Sequence, residues 1–296
     1  MTATQLDSLV TLLRSRPAPM DNDVVAARER FEKTAVFLGG APDAKCETVD
    51  AGGVPAEWVS APGCDTTRAV LYLHGGGYAI GSLNTHRRLA YDISAASSAR
   101  VLLVDYRLAP EHPFPAAIDD AAAAWCWLLG QGFAPGRLAI AGDSAGGGLA
   151  IATLVNLRDN ALGLPACAVA ISPWVDLEGL GNSITTRAAQ DPMVQKDGLL
   201  WMAGMYLQGR DARTPLAAPL HADLKGLPPV LVQVGTAETL LDDAIRIAER
   251  MHAAGVEARL AVWPNMLHVF PLFAPILSEG RDGCIEIGAF IRSKTA

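Results

Sequence analysis

Paired cysteines, clustered basic charge and long apolar runs are all missing from this sequence, and each absence removes a class of protein. The five cysteines, Cys46, Cys64, Cys126, Cys167 and Cys284, are scattered and form no CxxC pair. That is a poor disulfide framework and a poor zinc site. Isolated reduced thiols in or near the core are expected instead, and they fit the cytoplasm. No run of Lys and Arg exists, and the net charge is −7, so the footprint of a nucleic-acid binder is lacking. No apolar stretch approaches the ~18 residues a membrane span needs. Near the start the only apolar run covers residues 9–13, with no basic stretch before it, so no export signal is read. A cytoplasmic protein with neither membrane nor nucleic acid as partner is expected; a homodimer is left open.

What is present is ordinary globular chemistry. Half of the 296 residues are hydrophobic and 19% are charged, which supports a folded chain with a sizeable core. Two helices are expected first, one around residues 8–14, broken by Pro17 and Pro19, and one over 21–38, stopped by Gly39 and Gly40. Short strands follow at 46–50, 56–60 and 70–73. From there apolar runs at 101–104, 138–141, 168–171, 230–234 and 259–262 alternate with helical stretches at 115–129, 147–159, 240–254 and about 276–291. Continuous rather than alternating apolar runs belong to strands buried on both faces. The pattern predicts an α/β fold with an eight-stranded, mostly parallel sheet flanked by helices. Residues 172–229 are too many for one crossover and are read as an insertion with a helix near 196–207. The first 40 residues hold too little apolar surface for a core of their own and should dock on the rest of the chain.

Gly142-Asp-Ser144-Ala-Gly146 follows a strand and opens a helix, the setting G-x-S-x-G requires for an exposed nucleophilic serine. The N–H of Ala145, at the helix N-terminus, can face a developing negative charge. His74-Gly-Gly-Gly77 directly follows strand 70–73, where three glycines let backbone N–H groups approach an oxygen closely. A serine hydroxyl needs a base and a group to orient that base. Of six histidines, His268 follows the last strand by a short loop, where the final member of the order Ser, acid, His belongs. The acid should follow strand 230–234. Glu238, in the loop, is the better-placed orienter. Asp242 is the second candidate, although Thr239 and Asp242 together offer a helix cap that gives Asp242 a structural task.

These residues, with Asp105-Tyr-Arg-Leu-Ala-Pro-Glu-His-Pro-Phe-Pro-Ala-Ala117, Ser172-Pro-Trp174 and Glu238-x-Leu-Leu-Asp-Asp243, make the chain resemble the bacterial hormone-sensitive-lipase family of carboxylesterases, within the α/β-hydrolase superfamily. The matching stretch runs over about residues 70–270. The resemblance implies a carboxylic ester hydrolase in which residues 1–40 form N-terminal cap helices and 41–296 a catalytic domain with a cap insertion at about 180–220, and oxyanion donors at Gly76 and Gly77 together with Ala145. Many relatives carry Asp where this chain has Glu238. The stretch 106–117 is read as a rigid structural loop.

The expected chemistry needs no metal or organic cofactor: Ser144 attacks an ester, His268 moves the proton and Glu238 orients it. A binding-only protein is the rival, since plant gibberellin receptors resemble the same family but lack the histidine, which is present here. Acyl transfer and amide hydrolysis on the same machinery are not separable by sequence. For the substrate pocket, Trp201, Met202 and Met205 are the candidates, in a segment that also holds Met193 and Tyr206. Leu9, Leu12, Val24, Val25 and Phe31 are expected to help cover the same mouth, enclosing acyl chains of about four to eight carbons.

Overall fold

The computed structural model describes residues 4–15, 23–41 and 43–296. Its strands are β1 (Lys45–Asp50), β2 (Pro55–Ser60), β3 (Asp65–Leu73), β4 (Ala99–Val104), β5 (Leu138–Asp143), β6 (Cys167–Ile171), β7 (Val230–Gly235) and β8 (Ala258–Trp263). They form one sheet in the order β1-β2-β4-β3-β5-β6-β7-β8. The β1–β2 hairpin and the β2–β4 pair are antiparallel, and every later pair is parallel. All eight strands fall where the sequence places them, with β3 starting five residues earlier than expected.

Helices cover both faces. The chain supplies α1 (Gln5–Arg14), α2 (Val24–Phe37), α3 (Leu83–Ser97), α4 (Ala116–Gly130), α5 (Ala145–Asp159), α6 (Ser183–Thr186), α7 (Lys196–Leu207), α8 (Leu241–Ala253) and α9 (Ser278–Thr295). Alternation along β3 shows how the sheet divides the interior, since successive side chains point to opposite faces. Leu71 and Leu73 join the core shared with α4, α5 and α8, whereas Val70 and Tyr72 join the one shared with α3 and α9.

The helices 147–159 and 276–291 are found as α5 and α9 with shifted ends. The helix α3 has no counterpart in the sequence reading, for a physical reason. Its buried face carries Thr85, His86, Ser94 and Ser97 among its apolar residues, so no clean apolar stripe exists to be seen. The expected break at Pro17 and Pro19, and the start of the second helix at Asp21, lie outside the described residues. The stop at Gly39 is found, with φ at +71°. One expectation is corrected: only Cys167 and Cys284 are buried, while Cys46 and Cys126 are exposed and Cys64 is half-buried. Cys46 and Cys126 sit on outward-facing positions of β1 and α4, where a small thiol costs little. Among the described residues, no helix is long and apolar enough to cross a membrane.

Candidate active site

Parallel register brings the chemistry to one edge. Leu73 pairs with Gly142, Asp143 with Ile171, Ile171 with Gln233 and Gly235 with Trp263, so the C-terminal ends of β3, β5, β6, β7 and β8 lie side by side. From those ends run His74–Gly77, Ser144, Ser172, Glu238 and the loop to His268. Ligands of open α/β sheets bind at this edge.

Ser144 stands between β5 and α5 at φ 53°, ψ −121°, a conformation that costs a non-glycine residue about 1–3 kcal/mol. The surroundings hold it there. Its N–H donates to Ile171 O at 2.8 Å, and its carbonyl accepts from Trp174 N at 2.9 Å and Gly148 N at 3.1 Å. The tightness of the turn explains Gly146: a Cβ there would lie 2.0 Å from Leu73 O. Ser144 remains partly exposed while its neighbours on both sides are buried.

His268 Nδ1 donates to Glu238 Oε2 at 2.7 Å, both side chains buried. With the proton on Nδ1, the lone pair of the neutral ring sits on Nε2. Burial disfavours the imidazolium, yet the hydrogen bond and charge of Glu238 outweigh it and raise the His268 pKa above its ordinary value. The other Glu238 oxygen, Oε1, accepts from Gly235 N at 2.6 Å and Ser172 Oγ at 2.8 Å. Ser172 Oγ also accepts from Val269 N at 3.0 Å, so one hydroxyl ties the acid to the histidine loop. The sequence offered Ser172 only as part of a motif, without this role.

Asp242 lies elsewhere. Its Oδ2 accepts from Ser183 N at 3.0 Å, while its own N–H donates to Ser183 Oγ at 2.9 Å. The expected Thr239–Asp242 cap is corrected: Leu240 is the N-cap of α8 and has no side-chain cap bond. Thr239 is drawn away by the buried Asp191, whose Oδ2 accepts from Thr239 N at 2.8 Å and Oγ1 at 3.1 Å. Asp242 thus has a structural task, but it is to hold the insertion rather than to start the helix.

The glycine loop is pinned through its carbonyl groups. Tyr106 Oη donates to His74 O at 2.7 Å, and Gly76 O accepts from Ala79 N and Ile80 N. Arg28 of α2 donates to Ala79 O at 2.8 Å and reaches Glu111 at 2.7 Å, which ties the loop 106–117 to α2. Among the described residues, the N–H groups of half-buried Gly76 and of buried Gly77 and Ala145 have no protein acceptor, and buried donors rarely stay unpaired without cause.

The insertion approaches from above. A Cβ on Gly77 would meet Met202 Sδ at 1.9 Å, so this α7 side chain lies directly on the glycine loop. One turn on, Tyr206 stacks on Tyr78, ring centroids 3.8 Å apart. Met205 packs against the larger core, whereas Trp201, half-buried, joins neither core. Leu9 is buried in the second core, against which Met193 also packs, whereas Val25 is 58% exposed. Asp176, Glu178 and His221 bring ligand atoms within 4.8 Å of one another. Asp176 is already bound to Arg246 at 2.8 Å and to two backbone N–H groups, so the cluster is an ion-pair group.

A strained serine at a strand–helix elbow, a carboxylate–histidine pair and free N–H groups along one sheet edge define a hydrolase of the α/β class. The sequence model of a family described as alpha/beta hydrolase fold matches residues 70–272. An acetyl-hydrolase of Streptomyces hygroscopicus is 43% identical, over 100% of this chain and 98% of its own. The solved structure of an esterase from the bacterial hormone-sensitive lipase family superposes with a TM-score of 0.97 at 47% identity, covering 100% of both chains. The esterase EstE5, soaked with p-nitrophenyl butyrate, gives 0.95 at 47% identity over 99% of each chain. The chain belongs to the α/β-hydrolase family, among the bacterial hormone-sensitive-lipase-like esterases, and is a carboxylesterase.

Proposed function

We propose that the protein hydrolyses short- to medium-chain carboxylic esters through a Ser144–His268–Glu238 triad and an acyl-enzyme. The observation that carries this reading is the 2.7 Å His268–Glu238 hydrogen bond on the same sheet edge as the elbow serine. Ser144 Oγ attacks the carbonyl carbon while His268 Nε2 takes its proton. The N–H groups of Gly76, Gly77 and Ala145 receive the negative oxygen, which sits at the α5 N-terminus. Collapse of the tetrahedral intermediate breaks the ester C–O bond, and His268 gives the proton to the leaving alcohol. Water, deprotonated by the same histidine, then releases the acid and restores the serine.

The insertion and the N-terminal helices act as a cap, with Met202 as the wall nearest the reacting carbon and Met205 and Trp201 further along α7. A thioether packed on the glycine loop limits acyl length, in keeping with a range of about four to eight carbons. The similar esterase soaked with p-nitrophenyl butyrate falls within that range. Ester hydrolysis by Ser144→Ala tests the reading: kcat should fall ~10⁴–10⁶-fold with the fold intact. Hydrolysis that survives the substitution overturns it.

A further inference from the structure

The serine's predecessor has its own set of contacts. Asp143, the last residue of β5, is 2% exposed, and its carboxylate is fully engaged beneath the glycine loop. Oδ1 accepts from Tyr72 Oη at 2.7 Å and from Gly75 N at 3.1 Å. Oδ2 lies 3.3 Å from His86 Nε2. A Cβ on Gly75 would fall 2.1 Å from Oδ2, so loop and carboxylate are in direct contact. The next two residues are Gly76 and Gly77, whose N–H groups are free. A hydrogen bond to Gly75 N fixes the peptide plane from which the chain enters those two residues, because planar peptides leave only φ and ψ to turn.

We infer that Asp143 is the positioning residue of the oxyanion loop, setting the direction of the Gly76 and Gly77 N–H groups through Gly75. This rests on the serine-esterase reading and adds a residue to it. Burial favours the neutral acid, but His86 and the Tyr72 hydroxyl overcome it and hold the Asp143 carboxyl below its usual range. The anion is therefore present in the resting protein, where its use is geometric. A negative charge beneath a developing oxyanion opposes catalysis, so nothing in the chemistry calls for the charge itself. His74 fits the same picture. Burial pushes its pKa down to about 3, and the neutral ring donates from Nδ1 to Gly75 O at 2.7 Å, holding the next peptide group, the one that carries the Gly76 N–H.

A positioning role differs from a packing role in what it costs. Misdirected donors weaken transition-state binding and leave substrate binding alone. The test compares Asp143→Ala, Asp143→Asn and Tyr72→Phe, using p-nitrophenyl butyrate as substrate and a trifluoromethyl ketone as transition-state analogue. Asp143→Ala should lower kcat ~10²-fold with KM within ~3-fold, and analogue affinity should fall by the same factor as kcat. Asn can still accept from Gly75 N and Tyr72 and donate to His86, so Asp143→Asn should recover kcat to within ~5-fold of wild type. Should Asp143→Ala fail to fold, Tyr72→Phe carries the test. It should lower kcat and analogue affinity together by ~3–10-fold at unchanged KM, as the freed carboxylate turns. An unchanged kcat in folded Asp143→Ala or in Tyr72→Phe, a loss of kcat without loss of analogue affinity, or an Asn variant as poor as Ala overturns the proposal. Phosphonate uptake at Ser144, followed by intact mass, separates the two claims. Failure of wild type to take it up counts against the serine reading. Normal uptake with unchanged kcat in Asp143→Ala counts against Asp143 alone.

Discussion

Two carboxylates within five residues of chain, Glu238 and Asp242, are separated in role by a single hydrogen bond. Glu238 touches His268 and Asp242 touches Ser183. Glu238→Gln should therefore lower kcat by ~10²–10⁴-fold, because the orienting charge and the productive tautomer are both lost. Asp242→Asn keeps an acceptor for Ser183 N and should cost at most ~1 kcal/mol of stability, read by denaturant unfolding, with kcat little changed. The reverse pattern moves the acid to Asp242. A pH profile adds a second readout. The base works only when neutral, so kcat/KM must fall as pH drops through the His268 pKa. That pKa is raised, which puts the midpoint of the acid limb above the ordinary ~6.5. Glu238→Gln removes the charge and weakens the hydrogen bond that raise it, and leaves the burial that lowers it. The midpoint should then move to lower pH, and a midpoint that stays or rises contradicts the pairing.

Among the elements, the elbow and α7 carry the sharpest expectations. Gly146→Ala places a carbon against Leu73 O and His74 O and should cost more than ~3 kcal/mol, seen as a large drop in Tm or failure to fold. On α7, Met202→Ala opens space over Gly77. The acyl length of maximal kcat/KM should lengthen by ~2 carbons, at ~0.8 kcal/mol or ~4-fold for each newly buried methylene. A profile identical to wild type removes Met202 from the acyl wall. The legibility of the elements follows their physics. Strands buried on both faces, such as β5, β6 and β7, leave continuous apolar runs, and the elbow leaves two glycines and a serine, so these were readable in the sequence. Helix α3 was not, because its buried face is spent on polar contacts such as His86 to Asp143 and Ser94 to Ala61 N. The capping of α8 was misread for a related reason: Asp191, 48 residues earlier in the chain, takes the Thr239 hydroxyl that local spacing assigns to the helix start.

Across the whole molecule, the site is an assembly of distant segments on one sheet edge. Arg28 near the start supports the glycine loop, Ser172 joins the acid to the histidine loop, and Met202 descends from the insertion. Order along the chain pointed to the candidates, since Ser144, Glu238 and His268 follow the ends of β5, β7 and β8. It could not reveal the supports, because a bond between Ser172 and Val269 N leaves no mark in either local sequence. The central claim is that one serine, activated by this assembly, forms the covalent intermediate. Its most direct test is incubation with a p-nitrophenyl phosphonate ester, followed by intact mass and peptide mapping. The account predicts a single adduct, on Ser144, appearing in proportion to the loss of esterase activity and absent from Ser144→Ala. An adduct on another residue, or activity that persists when Ser144 is fully modified, contradicts it.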